Sequence, residues 1–114
     1  MEPLSDATRT ALRAVLGPTE EVTRVAPAVG CTLVLTDRSL HLVRDGVNFR
    51  PRTGIQSWQL DRSLIVRLAP AREGAGRLIV ERAGRSVSVF LTPAYLAGIE
   101  DLVAETRRRI YTGS

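Results

Sequence analysis

The chain of 114 residues contains no lysine at all, a single cysteine, a single histidine and only 4% aromatic residues. Each shortage excludes a class of chemistry. Cys31 alone cannot form an intrachain disulfide or anchor a cysteine-rich metal site, a pattern that suits a reducing, cytosolic compartment. With His41 as the sole imidazole, the sequence does not own the several soft or nitrogen ligands that a zinc-type centre needs, and no metal or cofactor is expected. Scarce aromatics leave no stacking platform for single-stranded nucleic acid, and the basic residues are spread through all the loops rather than gathered on one face, so nucleic acid is not an expected partner. No apolar run approaches the roughly 18 to 20 residues that span a bilayer, and the opening "MEPLSDATRT" lacks the basic-then-apolar layout of a secretory signal. The expectation is a soluble cytoplasmic protein.

All sixteen basic residues are arginine, against twelve acidic residues, giving a net charge of +4. Arginine favours bidentate contacts with phosphate and carboxylate, so attraction to an anionic surface is physically reasonable. A coding preference for arginine accounts for the same composition without any ligand. A hydrophobic content of 44% with 25% charged residues is ordinary for a folded domain, and the length suits one domain spanning residues 1–114.

Periodicity divides the chain into three parts. Ser5 and Asp6 stand as N-caps before "ATRTALRAVLG", in which Ala11, Leu12, Val15 and Leu16 share one helical face before Gly17-Pro18 stops it; a short helix is expected over about 6–16. From about residue 21 to 91 the period changes to two and β-branched residues become frequent. Strands are expected at 21–28, 31–36, 39–44, 55–60, 64–69, 77–82 and 86–91, with Val29-Gly30, Asp37-Arg38 and Ala83-Gly84 as tight turns and "PAREGAG" as a loop. Thr92-Pro93 then opens a long helix to about 111, since Thr caps free amides and Pro at the first helical position loses no hydrogen bond. Tyr95, Leu96, Ile99, Leu102, Val103 and Ile110 form its apolar stripe, while Glu100, Asp101, Glu105 and Arg107 to Arg109 are expected to face solvent. The fold class is therefore α+β, mainly β: about seven antiparallel strands whose wet apolar face must be covered, and one amphipathic helix of the right size to cover it.

That order of elements, together with Gly30, Thr36, Arg38 and Leu40 of "GCTLVLTDRSLHLV" and the "VSVFLTP" approach to the helix, resembles the bacterial pleckstrin-homology-like domains over roughly residues 5–111. Ser39 stands before Leu40 where the family hairpin often carries Arg or another large residue. The resemblance implies two nearly orthogonal sheets in a partly open barrel, capped at one end by the C-terminal helix, and a non-catalytic binding or assembly module. In eukaryotic relatives basic side chains of the first-to-second and third-to-fourth strand loops hold phosphoinositides; here the first of those loops, "PAVG", has no basic residue.

The candidate site residues lie in "RDGVNFRPR": Arg44, Phe49, Arg50 and Arg52, set around a Gly and a Pro that place the segment in a turn and wide loop. It reads first as a solvated loop and second as an anion or partner site. His41 is expected as an ordinary sheet side chain, Cys31 as a small buried residue and Trp58 as core. Adjacent carboxylates at Glu20-Glu21 and Glu100-Asp101 point in different directions and make no acid/base pair, and "REGAGR" lacks the lysine of a phosphate loop, so no enzyme is expected. The first functional expectation is protein association, including self-assembly through strand edges or the groove beside the helix; the second is attachment to anionic lipid through Arg44, Arg50 and Arg52.

Overall fold

The structure, a computed structural model, describes residues 16–17, 19–44 and 55–112. Seven strands precede one long helix: β1 (Val22–Ala28), β2 (Cys31–Thr36), β3 (Ser39–Arg44), β4 (Ile55–Gln59), β5 (Ile65–Pro70), β6 (Gly76–Arg82), β7 (Arg85–Leu91) and α1 (Pro93–Thr112). They form a four-stranded sheet in the order β1-β2-β3-β4 and a three-stranded sheet in the order β5-β6-β7, antiparallel throughout. The strand positions expected from the two-residue period fall within a residue or so of these bounds. "PAREGAG" is more ordered than a plain loop: Pro70 and Gly76 end the flanking strands, and a 3-10 turn at Arg72–Gly74 joins them. The expected N-terminal helix at 6–16 lies almost entirely outside the described residues.

Alternation explains the main core. Leu33, Leu35, Leu40 and Leu42 from the larger sheet meet Leu78, Val80, Val89 and Leu91 from the smaller one, and Ile99, Leu102, Val103 and Ile110 of α1 close over them. Each such leucine, fully withdrawn from water, contributes roughly 1.5–3 kcal/mol. The helix comes close enough to β6 that a Cβ on Gly76 would sit 3.1 Å from Leu96 Cδ1, so a larger residue there has to push the leucine side chain aside.

Two expectations about faces change. β2 does not alternate between inside and outside, because Val34 and Thr36 are as fully buried as Leu33 and Leu35. Val34 and Val43 form a second apolar cluster on the far side of the sheet, with Leu16, Val25 and Ile55 packed against them. On α1, Glu105 is buried at 7% exposure rather than pointing to water. It receives hydrogen bonds from Arg108 Nε at 2.9 Å and Arg109 Nε at 3.2 Å, and those donors, Arg108 foremost, hold its carboxyl below the usual range.

Candidate functional site

The two sheets meet at one corner, where the amide of Val29, the first residue of the β1–β2 turn, donates to the Phe90 carbonyl at 3.1 Å. Beside that junction opens a cleft of about 270 Å³, lined by Val29, Gly30 and Cys31 on one side, Ser88, Val89 and Phe90 on the other, with Arg44 at its edge. Alternation sets the lining. In β7 the odd positions Val87, Val89 and Leu91 turn toward the core, so Ser86, Ser88 and Phe90 turn outward. Phe90 is 59% exposed and Val29 48% exposed, two large apolar groups on one rim. The Arg77 guanidinium, cross-strand from Phe90, lies 5.2 Å from the ring centroid and holds the ring against the sheet.

Of the four candidate residues from "RDGVNFRPR", Arg44 ends β3, is exposed and borders this cleft. Phe49, Arg50 and Arg52 lie outside the described residues. The apolar "PAVG" turn noted in the sequence supplies the Val29 wall. Cys31 is buried, as expected; burial pushes its thiol up to about 11, with the nearby Arg44 charge opposing the rise, so it is a poor nucleophile. The cleft thus offers an apolar rim, one guanidinium and open strand backbone. It suits a side chain or short segment that is partly apolar and partly anionic.

A second polar cluster lies at the opposite end of β2. Glu20, just before β1, accepts hydrogen bonds from Thr36 Oγ1 at 2.5 Å and through Oε1 from the Gly17 amide at 3.1 Å. His41 Nε2 lies 2.8 Å from the same Glu20 Oε2, and His41 Nδ1 lies 2.6 Å from Ser57 Oγ, its cross-strand partner on β4. His41 is only 2% exposed, so it is not an ordinary sheet side chain but the centre of a network. Burial alone would raise the Glu20 carboxyl, but bonds from Thr36, His41 and the Gly17 amide, with the charge of His41, outweigh it and hold the pKa at about 2. The carboxylate requires a proton on Nε2, leaving Nδ1 to face the Ser57 hydroxyl. The network fastens Gly17 and Glu20 to β2, β3 and β4. Sequence reading missed it because Glu20, His41 and Ser57 meet only through strand register. Among the described residues no group of three or more His, Cys, Asp or Glu is placed to hold a metal, and no helix is long and apolar enough to cross a membrane.

Comparison with solved structures fits this arrangement of two sheets and a closing helix. The crystal structure of a pleckstrin homology domain from Shewanella amazonensis SB2B is similar over 89% of this chain and 97% of its own, with a TM-score of 0.58 at 20% sequence identity. The fold is that of a pleckstrin-homology domain. No family model and no curated protein matches the chain. In this chain the corner cleft lies beside the β1–β2 turn and the end of β3.

Proposed function

We propose that this chain is a non-enzymatic module whose work is protein association, with the corner cleft as the principal contact. The observation that carries this reading is the pairing of exposed Phe90 and Val29, with Arg44 at the cleft edge and Arg77 against the Phe90 ring. An exposed aromatic anchor beside arginine is the composition of a protein-binding hot spot, whereas a phosphoinositide clasp needs basic side chains on both of its loops. No catalytic role is assigned to Ser57, whose contact with His41 is a direct cross-strand pair at the far end of β2 from the cleft.

A peptide library displayed against the immobilised protein tests the reading. Sequences enriched by the natural chain and lost with Phe90→Ser support it; equal enrichment by both removes the cleft from the account. The second reading, attachment to anionic lipid through Arg44, Arg50 and Arg52, draws on the position of Arg44 at the cleft edge. It requires sedimentation with acidic vesicles at low salt, release by added salt, and loss when the three arginines become Gln. Failure to sediment at low salt rules it out.

A further inference from the structure

The outer face of the larger sheet carries apolar side chains that the main core does not use. Register brings them together. Val25 of β1 lies beside Val34 of β2, and Val43 of β3 lies beside Ile55 of β4 in the next row, so one apolar residue from each of the four strands joins a band across the sheet. A sheet face turned to water leaves its side chains wet, yet Val34 is 0% and Val43 2% exposed. Leu16 is packed against them. The chain reaches this face by a fixed route. Gly17 and Glu20 are closed on each other, the Glu20 amide donating to the Gly17 carbonyl at 3.2 Å and the Gly17 amide to Glu20 Oε1 at 3.1 Å, while Glu20 Oε2 rests on Thr36 and His41. His41 is the cross-strand partner of Val34, so the same face holds both Glu20 and Leu16.

We infer that residues 6–16, which apart from Leu16 lie outside the described residues, dock on this band as an amphipathic helix and form a third layer over the sheet. Covalent connection identifies the occupant. Leu16 ends the stripe Ala11, Leu12, Val15 and Leu16 that helical spacing sets on one side, so with Leu16 on the sheet the other three come down on the same face. Thr10 and Arg13 then point to water. Size agrees: four strands about 4.8 Å apart give a band about 14 Å wide, and eleven helical residues at about 1.5 Å each span about 16 Å. The Glu20–His41 network thereby gains a task, which is to fix the point where the helix leaves the sheet. The docked helix withholds the band from any other apolar partner. This face shares no residue with the corner cleft, and its cover does not depend on what the cleft binds.

Trypsin tests this, because Arg9 and Arg13 are cleavage sites inside the segment and cutting a docked helix waits on its local release. Digestion is followed by intact mass for the natural chain, Leu12→Asp, Ile55→Ser and Thr10→Asp, with Trp58 fluorescence reporting that the sheets stay folded. In the natural chain both sites should be cut slowly, at a rate independent of protein concentration. Cutting should be at least about tenfold faster in Leu12→Asp, several-fold faster in Ile55→Ser and unchanged in Thr10→Asp, whose side chain lies opposite the stripe. The two released variants should also raise the fluorescence of an apolar dye as Val34 and Val43 become wet. Ile55→Ser decides the matter if Leu12→Asp does not fold. Natural-chain cutting as fast as in an unfolded peptide of the same residues, or equal rates for Leu12→Asp and Thr10→Asp, overturns the assignment. Protection that grows with protein concentration overturns it too, and gives the face to a second copy.

Discussion

Replacing Glu20 by Gln keeps the side chain's shape and removes the charge that Thr36, His41 and the Gly17 amide converge upon. The carboxyl is lowered from 4.5 to about 2 in the folded chain. At about 1.4 kcal/mol per unit, this linkage has a ceiling of roughly 3 kcal/mol. Water beside the partly exposed Gly17 and Glu20 screens part of it, and about 1–2 kcal/mol is the expected loss at neutral pH, or about 5–10 °C in Tm for a chain of this size. The sign follows from the depressed pKa. The contribution is fully present above pH 4.5 and is lost as pH falls through that value toward about 2, because the unfolded chain takes up the proton first. Urea unfolding should therefore show the natural chain losing more stability than Glu20→Gln between neutral pH and about pH 3. A cycle with His41→Gln should show coupling of about 0.5–2 kcal/mol. Parallel acid profiles for the natural chain and Glu20→Gln, or an additive cycle, would refute the claim that this network holds the segment down.

Cys31, buried and with its thiol raised to about 11, should resist a soluble disulfide reagent at pH 8 in the native state and react at once in denaturant; rapid native labelling would contradict its burial. Leu102→Ala, at a fully buried position under both sheets, should cost about 2–5 kcal/mol by thermal or urea unfolding. Ala83 sits at φ 54 in the β6–β7 turn beside Gly84 at φ 79, a mirror-image turn that favours Asn-Gly, so Ala83→Asn should raise stability by about 0.5–1 kcal/mol. No gain in Tm from Ala83→Asn would show that the turn is not the strained point it is taken to be.

Much of the fold was legible because antiparallel strands and amphipathic helices write their periods directly into sequence. The hairpin from Cys31 to Arg44 and the helix opened by Thr92-Pro93 are local features, and the structure returns both at the expected places. Phe90 was missed in favour of Phe49, although it shares the outward phase of Ser86 and Ser88 and strand alternation carries the signal for an exposed ring. What could not be read depends on register between distant segments. His41 meets Ser57 because β3 and β4 pair as they do, across a loop whose length leaves the register free. Val34 is buried on what alternation takes for the wet face because Val43, Leu16, Val25 and Ile55 gather there. Glu105 fits the polar stripe of its helix by spacing, yet the arginines at three and four residues' distance fold back over it. Nothing in a single strand's pattern reveals what lies across it.

The excess of arginine over acid reads differently once pairings are counted residue by residue. Arg24 pairs with Asp101, Arg67 with Glu81, Arg82 with Asp61, and Arg108 and Arg109 with Glu105. Arg82 and Arg107 also reach backbone carbonyls on the two open edges that face each other in chain order, β4 and β5. Much of the described charge is thus engaged in tying the surface together, which weakens the case for a broad anion-binding face and strengthens the case for controlled edges. Lysine could not do the same work at residue 107, where the donor is Nε, part-way along the side chain, and an ammonium has no donor at that position. Arg107→Lys should leave stability within about 1 kcal/mol, as expected for a partly solvated contact, while uncovering the Val66 carbonyl on the β5 edge. The consequence is association of the wrong kind: faster, disordered aggregation on agitation at a temperature where both forms are folded, detectable by light scattering. Equal aggregation rates at matched stability would show that the arginine caps on β4 and β5 protect nothing.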